Sequence, residues 1–313
     1  MSSDQTRKGV LLAFGAFAAY SISDAAVKLI DGALTPYESA FIGACFGIFA
    51  LPLLLKPSDR WHEMFATTNR PLWLLRFVTA GLGTIGSVTA FTHLSMAEAF
   101  CLIFLLPSFV TIMSVVFLKE QVGICRWSAV AIGFLGVLIV LRPGFRELSI
   151  GHLGAIMAGV SGAISIIIFR LMGPSEKNIS LYGAGLLGAL AMSGLAMIPG
   201  FQLPTGEQWL LLAGYGLIGA YGNILLMQAA AHAPAAVLGP TQYSQMLWGI
   251  FLGYLVFGDT IDLPIILGSI LIVSSGLLTI LRERQRGVAL PPSVAADSQG
   301  ALAVKPEDET EAV

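Results

Sequence analysis

Ionisable side chains within long apolar segments are the first residues of this sequence that could do chemistry. Asp24 and Lys28 stand four positions apart in one such segment, a spacing that places both on the same face of a helix. His93 and Glu98 flank the short break between two later segments. A charge in apolar surroundings is costly, so each group either has a structural partner or binds a proton or ligand. For Asp24, Lys28 and Glu98 both interpretations stay open, and His93 is a candidate for ligand contact because histidine titrates near neutral pH.

A second set of polar side chains lies in two apolar segments towards the end of the chain. Its members include Asn223, Gln228, Gln242 and Tyr243, and Trp248 adds an aromatic face beside them. Polar groups in apolar surroundings either hydrogen-bond between helices or line a wet cavity. We predict that this set contacts a ligand, with Tyr243 the foremost candidate because its phenol can both pack and hydrogen-bond.

Two prolines interrupt apolar segments near these residues. Pro107 stands in the middle of one segment, where its missing N–H removes a backbone hydrogen bond, and Pro240 stands near the start of another. A break beside a cavity predicts a hinge. A fixed kink is the alternative.

The composition indicates that lipid surrounds these segments. Of the 313 residues, 56% are hydrophobic and 12% are charged, whereas a soluble domain carries about 25% charged residues. A net charge of −2 without a basic stripe gives no support to nucleic-acid binding. The sequence therefore predicts an all-α integral membrane protein whose surroundings are a lipid bilayer.

Ten apolar runs approach the length of about 20 residues that a helix needs to cross a bilayer. They cover residues 9–30, 36–55, 72–92, 97–118, 125–141, 151–172, 179–199, 207–230, 235–257 and 263–281. The distribution of Lys and Arg predicts their orientation. With the N-terminus in the cytoplasm, 14 of the 17 basic residues fall on the cytoplasmic side, as the positive-inside rule requires. We predict that both termini are cytoplasmic.

A weak internal repeat divides the ten segments into two sets of five. Trp73-Leu74-Leu75 recurs as Trp209-Leu210-Leu211 at a spacing of 136, and Leu118-Lys119-Glu120 aligns with Phe257-Gly258-Asp259 at a spacing of 139. Because five is odd, the second set must enter the membrane in the opposite sense. Such inverted repeats are typical of transporters, whose substrate site lies between the halves.

These patterns predict four parts of the chain. Residues 1–8 form a cytoplasmic N-terminus, residues 9–144 the first repeat and residues 145–283 the second. Residues 284–313 are rich in Pro, Ala, Ser and acidic side chains and predict a disordered cytoplasmic tail.

The sequence resembles the drug/metabolite transporter superfamily, specifically its EamA-type ten-helix exporters. The residues that carry the resemblance are Ala97-Glu98-Ala99, Pro107, Leu118-Lys119-Glu120, Arg126-Trp127, Gly133-Phe134-Leu135-Gly136-Val137, Leu141-Arg142-Pro143, Gly239-Pro240-Thr241-Gln242-Tyr243, Leu247-Trp248-Gly249 and Phe257-Gly258-Asp259. Two departures are Asp259, where the family usually has Glu, and Lys119, where a small residue is common.

The resemblance implies export of small polar metabolites, amino acids prominent among them, across the bacterial cytoplasmic membrane. It implies no cofactor, and it leaves coupling to protons open. A nucleoside-like or S-adenosylmethionine-like solute is the alternative.

An intramembrane serine protease is the alternative from another class of protein. Gly159-Val160-Ser161-Gly162 fits a G-x-S-G pattern, and His232 could supply the base. The motif is short in a chain rich in Gly and Ser, and a protease does not need ten segments in two repeats. We therefore expect no enzyme. No metal site is expected either, because three widely spaced cysteines form no ligand framework.

Overall fold

The structure, a computed structural model, describes residues 3–30, 32–49, 60–119, 122–142, 148–172, 176, 178–232 and 238–285. Within these ranges the chain forms eleven α-helices and three short 3₁₀ helices, and it contains no β-strand. The prediction of an all-helical chain is confirmed for this part of the protein.

The helices are numbered here in chain order. They are α1 (Ser3–Lys28), α2 (Pro36–Ile48), α3 (Arg70–His93), α4 (Met96–Ile103), α5 (Leu106–Phe117), α6 (Ile124–Leu141), α7 (Ile150–Met172), α8 (Asn178–Met197), α9 (Gly206–His232), α10 (Ser244–Phe257) and α11 (Leu263–Gln285). The 3₁₀ helices are Trp61–Phe65, Ile198–Gly200 and Gly239–Tyr243.

Local sequence explains where several helices begin. At α2, Thr35 and Glu38 form a capping box in which each side chain accepts a hydrogen bond from the backbone N–H of the other residue. Asn69 caps α3 through the Leu72 N–H. Ser95 caps α4 through the Glu98 N–H. Each cap satisfies an N–H that has no partner within its own helix.

Left-handed backbone geometry follows three of the described helices, at Lys119, Arg142 and Gly258, and two of these positions correspond in the repeat. Gly258 follows α10 with a φ of 63°, and Lys119 lies just beyond α5 with a φ of 54°. The two positions are 139 residues apart, the spacing at which their sequence motif recurs. Because side chains other than glycine rarely adopt this left-handed conformation, its occurrence at both sites supports the alignment of the repeats.

Six helical stretches are long and apolar enough to cross a membrane. They are Gln5–Lys28, Arg70–His93, Met96–Phe117, Ile150–Ile168, Ile179–Gly200 and Gly206–Leu226, while Trp127–Leu141 and Leu263–Leu278 are shorter apolar helices. The predicted segments 36–55 and 235–257 lie partly outside the described residues. Glu120, Pro143 and residues 286–313 of the predicted tail lie wholly outside them. The first two tail residues, 284 and 285, belong to α11.

The fourth predicted segment, residues 97–118, is two helices rather than one kinked helix. α4 ends at Ile103 and α5 begins at Leu106, with a turn at Phe104 and Leu105 between them. Pro107 lies in the first turn of α5, where its missing N–H leaves no intrahelical hydrogen bond unmade.

The helix pairs of the two halves correspond to each other. Replacing each helix of an observed pair by its counterpart in the other half gives a second observed pair. α1 packs along α9 as α3 packs along α7, and α2 packs on α9 as α8 packs on α3. α6 and α11, the last helices of the two halves, pack on each other.

Glycines allow two of these pairs to approach closely. A Cβ on Gly86 would lie 2.6 Å from the Gly154 carbonyl oxygen between α3 and α7, and a Cβ on Gly136 would lie 2.8 Å from the Gly268 carbonyl oxygen between α6 and α11. Such distances exclude any side chain, so these four glycines set the helix spacing.

Contacts between loops define two ends of the bundle. At the first, here called the Asp259 end, the Lys28 Nζ at the end of α1 donates to the Leu94 carbonyl at the end of α3, 2.7 Å away. At the second, the Glu176 end, the Thr68 N–H before α3 donates to the Glu176 carboxylate before α8, 2.9 Å away.

Arg76, one of the 14 basic residues assigned to the cytoplasmic side, lies within α3 rather than in a loop. Its side chain is fully buried between α3 and α8, and its Nε donates to the Leu181 carbonyl at 2.8 Å. The guanidinium lies against Gly185, where a Cβ would be 3.2 Å from Nη2. Arg76 therefore ties two helices together near the Glu176 end.

Candidate functional site

A cavity lies within the bundle, between residues of the first and the second half of the chain. Its lining comes from α1, α3, the α4–α5 break, the third 3₁₀ helix and α10, and consists of Asp24, Ser87, Phe91, Phe100, Ile103, Phe104, Leu106, Pro107, Gln242 and Gln245. The mixture of apolar walls with a few polar groups is typical of small-molecule sites.

Asp24 is the ionisable side chain of this lining. It is buried, and its Oδ2 accepts a hydrogen bond from the Gln245 Nε2 at 3.3 Å. The Gln245 backbone carbonyl in turn accepts from the Ser21 hydroxyl at 3.0 Å. Two contacts therefore hold α1 of the first half against α10 of the second half at the cavity wall.

Other polar groups of α1 find partners on α9. The Tyr20 hydroxyl donates to the Asn223 Oδ1 at 2.6 Å, and the Ser23 hydroxyl donates to the Tyr215 carbonyl at 2.7 Å. Asn223, a predicted ligand contact, is thus buried in an interhelical hydrogen bond, which is how polar groups are usually satisfied within a membrane.

Three phenylalanine rings form the apolar side of the cavity. Phe91 and Phe100 meet edge to face with centroids 5.0 Å apart, and the Phe104 ring lies 6.1 Å from that of Phe100. The Phe100 ring occupies the space where a side chain on Gly249 would be. Glycine at position 249 therefore lets α10 approach the ring.

Tyr243 stands behind this wall. Its ring lies 5.7 Å from that of Phe104 and covers Gly276 of α11, where any Cβ would overlap the phenol. The neighbouring Gln242 lines the cavity. Because a 3₁₀ helix turns by about 120° per residue, adjacent positions face different surroundings, and Gln242 rather than Tyr243 has the inward position.

The two predicted hinge prolines lie next to breaks between α-helices. Pro107 lines the cavity directly, next to the turn between α4 and α5. Pro240 belongs to the 3₁₀ helix that leads into α10. Movement at either proline remains a prediction.

Lys28 and Asp259 join the two halves at the Asp259 end. The Lys28 Nζ lies 3.8 Å from the Asp259 Oδ2 and 5.0 Å from the centroid of the Phe257 ring. The same Oδ2 accepts the Met96 N–H at 3.1 Å, at the first turn of α4. The sequence predicted only the local neighbour Asp24 for Lys28.

Glu98 has a buried histidine as its neighbour. The His152 Nε2 on α7 lies 3.3 Å from the Glu98 Oε1, and the His152 Nδ1 accepts the Ser149 N–H at 2.9 Å. With Nδ1 acting as an acceptor, Nε2 carries the proton and donates to Glu98. Glu98 thus links α4 to α7; a role in proton coupling stays a prediction.

The remaining predicted residues lie away from the cavity lining. His93 is exposed, and its Nδ1 lies 3.0 Å from the Thr89 carbonyl oxygen. Gln228 is also exposed, and Trp248 packs edge to face on Phe251 at 6.3 Å on an exposed part of α10. Their contact with a solute remains a prediction.

The pair considered for a serine protease has other neighbours. Ser161 is buried against Gly83, where a Cβ would lie 3.0 Å from the serine Cβ. The His232 Nδ1 lies 2.7 Å from the Gln228 carbonyl oxygen. Within the described residues, no cluster of three or more His, Cys, Asp or Glu side chains could hold a metal ion.

Residues 7–142 and 149–281 each match the EamA-like transporter family. The chain is similar to the pseudopaline exporter CntI of Pseudomonas aeruginosa, at 25% identity over 87% of this chain and 96% of that protein. It is 31% identical to a riboflavin transporter of Rhizobium johnstonii over 76% of this chain and 78% of that one. An S-adenosylmethionine uptake transporter of Rickettsia prowazekii is 25% identical over 85% and 90% of the two chains.

A crystal structure of another protein shares the fold. Its TM-score is 0.60 at 17% identity, and the match covers 89% of this chain and 98% of that one. At this identity the likeness concerns the fold alone.

Apolar helices around a central, partly polar cavity, in two copies of one family pattern, define a membrane transporter. The chain belongs to the EamA-like transporter family. The resemblance inferred from the motifs is thereby confirmed. The protein is a transporter rather than an enzyme, because the family and the named relatives are transporters.

Several residues of the site were not predicted from the sequence. Ser87, Phe91, Phe100 and Phe104 line the cavity, but nothing distinguishes these phenylalanines among the 18 of the chain. The sequence does contain a signal for Asp259, because this residue belongs to a motif that recurs in both halves at the end of a helix.

Proposed function

We propose that the protein exports small polar metabolites, amino acids among them, by alternating access through the central cavity. The observation that carries this proposal is that both halves build the cavity: Asp24 and Phe91 come from the first, Gln242 from the second. A site shared by two halves can face either side of the membrane in turn as the halves move against each other.

Ten membrane crossings in two inverted sets of five are part of the proposal. Two carboxylates support the inversion. Glu38 in α2 accepts the Gln202 N–H from the loop before α9, and Glu176 before α8 accepts the Thr68 N–H from the loop before α3. Exchanging the halves converts one contact into the other, and the two lie at opposite ends of the bundle.

We further propose that both termini are cytoplasmic in a bacterial inner membrane, so that the Asp259 end faces away from the cytoplasm. Leu203 and Phe65 are exposed at the Asp259 and Glu176 ends, respectively. In a chain without its native cysteines, a membrane-impermeant maleimide should label Leu203→Cys in intact cells and Phe65→Cys only after permeabilisation. The reverse pattern would contradict this orientation.

The contacts at the Asp259 end support a conformation closed at that end. Lys28 contacts Asp259, and the Arg142 Nη2 lies 2.9 Å from the Asp262 Oδ2. Each pair joins a residue of the first half to one of the second, so both must separate for a solute to leave there.

A second candidate solute is an S-adenosylmethionine-like or nucleoside-like molecule. The three phenylalanines of the cavity favour it because a planar ring packs well on aromatic faces. The named relatives carry different solutes, so membership of the family does not choose between the candidates.

Counterflow in proteoliposomes decides between these solute classes. Vesicles loaded in turn with unlabelled amino acids, S-adenosylmethionine, nucleosides and riboflavin are placed in the labelled form of each. We expect exchange of amino acids. Exchange of another class alone would contradict amino-acid export and leave transport intact.

Proton coupling is tested by the same vesicles under a pH gradient. If Asp24 or Glu98 carries a proton during transport, an imposed gradient should drive net flux of the solute. If the net flux is the same with and without the gradient, Asp24, Glu98 and His93 do not carry protons during transport.

A further inference from the structure

We propose that Asp24 binds a positively charged nitrogen of the transported solute, so that the site accepts organic cations and zwitterions and rejects solutes that carry only negative charge. This proposal rests on the transport function above and names the charge class of its solute.

The charge of the cavity is the first support. Among the described residues that line it, Asp24 is the one ionisable side chain, and it is 5% exposed. A carboxylate in surroundings of low dielectric constant interacts strongly at short range. It therefore attracts a solute cation and repels a solute anion.

The position of the carboxylate is the second support. The Gln245 amide donates to Oδ2 at 3.3 Å, and the Gln245 backbone is held by the Ser21 hydroxyl. These contacts orient Asp24 towards a shared cavity at the junction of the two halves. A group bound there touches elements that must move relative to each other during transport.

The aromatic wall is the third support. Phe91, Phe100 and Phe104 line the same cavity, with neighbouring ring centroids 5.0 and 6.1 Å apart. The faces of aromatic rings attract cations and pack on apolar groups. A solute with an ammonium group beside an apolar body matches both surfaces.

The neutral polar groups complete the site. Gln242 and Gln245 offer amides, and Ser87 offers a hydroxyl. These groups can hydrogen-bond to the uncharged or carboxylate part of a zwitterion. They cannot hold a phosphate as well as Lys or Arg would, and neither residue type is among the described lining residues.

Two matched probes test the charge requirement. Phenylethyltrimethylammonium is a permanent cation, and its carbon isostere carries an uncharged tert-butyl group of the same shape. Binding is measured as the rise in the thermal unfolding midpoint of the full-length protein in detergent, because a ligand of the folded state stabilises it. The wild type should be stabilised by the cation and not by the isostere. Equal stabilisation by both probes, or by neither, would overturn the proposal.

Variants at Asp24 assign the effect to this side chain. Asp24→Asn should bind the cation about thirtyfold more weakly or worse, the expected effect of removing one partner of a buried charge contact, whereas Asp24→Glu should retain preference for the cation. Glu207→Gln removes a negative charge at an exposed position of α9, away from the cavity lining, and should bind like the wild type. Undiminished binding by Asp24→Asn would contradict the proposal.

Flux measurements separate this proposal from the transport function. If vesicles exchange anionic solutes as well as zwitterions, and Asp24→Asn exchanges them equally, transport stands and the charge requirement is wrong. If the cation binds as expected but no solute of the panel is exchanged, the binding site stands and the transport function is wrong.

Discussion

Lys28 of the first half and Asp259 of the second face each other at one end of the bundle, with Nζ and Oδ2 3.8 Å apart. The same carboxylate oxygen accepts the Met96 N–H, and the same ammonium donates to the Leu94 carbonyl. One ion pair therefore connects the end of α1, the end of α3, the start of α4 and the residues after α10.

Asp259→Ala should destabilise the protein more than Lys28→Met does. Loss of Asp259 leaves both Lys28 and the Met96 N–H without this acceptor, and we expect a cost of about 1–3 kcal/mol. Loss of Lys28 removes its hydrogen bond to the Leu94 carbonyl as well as the ion pair, but it leaves the Asp259 contact with Met96 intact, and we expect a smaller cost of about 1 kcal/mol. Thermal unfolding of the purified variants in detergent measures the order.

Asp262→Ala is the control for this comparison. Its pair with Arg142 is more exposed, at 26% and 38% against 15% and 18% for Lys28 and Asp259. Solvent weakens such a pair, so the change should have the smallest effect. An effect as large as that of Asp259→Ala would contradict the central position given to Asp259.

The repeated left-handed helix end predicts opposite effects of two substitutions. Gly258→Ala should destabilise the protein by about 1 kcal/mol, since a Cβ there meets no atom within 4 Å and the cost comes from the backbone alone. Lys119→Gly should stabilise it by a similar amount, because glycine adopts this conformation without strain. Gly47→Ala, also in open space but at an ordinary helical position, should not destabilise. Destabilisation by Lys119→Gly would rule out the shared geometry.

Pro107→Ala tests the break between α4 and α5 as a hinge. Restoring an N–H beside the cavity should slow solute exchange by about tenfold while the unfolding midpoint changes little, because hinge movement limits the rate. Pro264→Ala in the first turn of α11 is the matched control and should exchange at the wild-type rate. If Pro107→Ala exchanges solute at the wild-type rate, the break between α4 and α5 is a fixed kink and not a hinge.

Glu176 predicts a pH dependence at the opposite end of the bundle. Burial raises the pKa of its carboxyl, but hydrogen bonds from Thr68 and Thr67 outweigh burial and lower the pKa below its usual 4.5. A carboxyl whose pKa is lower in the folded state stabilises that state above its unfolded pKa, and the contribution disappears as pH falls through the folded value.

Glu176→Gln should therefore lower the unfolding midpoint at pH 7, and its difference from the wild type should shrink as the pH falls below 4.5. Glu207→Gln, at an exposed position near the start of α9, should show a smaller difference at neutral pH. If the difference in unfolding midpoint between Glu176→Gln and the wild type grows as the pH falls, the Glu176 contact does not stabilise the folded state in the way proposed.

Helix positions could be predicted where apolar runs are continuous. Residues 72–92 and 151–172 were predicted and are found within Arg70–His93 and Ile150–Met172. The run 97–118 was equally continuous, yet it forms two helices, because Pro107 has no N–H to donate to the Ile103 carbonyl and its ring is crowded against that group.

Tertiary partners could not be predicted from spacing. The spacing of Asp24 and Lys28 on one helix predicts a local pair, but it could not predict their contacts with Gln245, 221 positions from Asp24, and with Asp259 near the end of the second half. Side-chain chemistry favours Tyr243 over Gln242 for ligand contact, but it could not predict that the segment is a 3₁₀ helix in which Gln242 lines the cavity and the Tyr243 phenol lies against Gly276.

Solute exchange through a blocked cavity tests the central claim most directly. Ser87→Phe places a ring in the cavity shared by both halves, whereas Leu210→Phe adds a ring at a position that is 73% exposed on α9. Both proteins are checked for helical content and monodispersity, then reconstituted beside the wild type for counterflow of labelled amino acids. We predict that the wild type and Leu210→Phe exchange at similar rates and that Ser87→Phe exchanges at the rate of empty vesicles. Exchange by folded Ser87→Phe at the wild-type rate would show that the solute does not pass through this cavity.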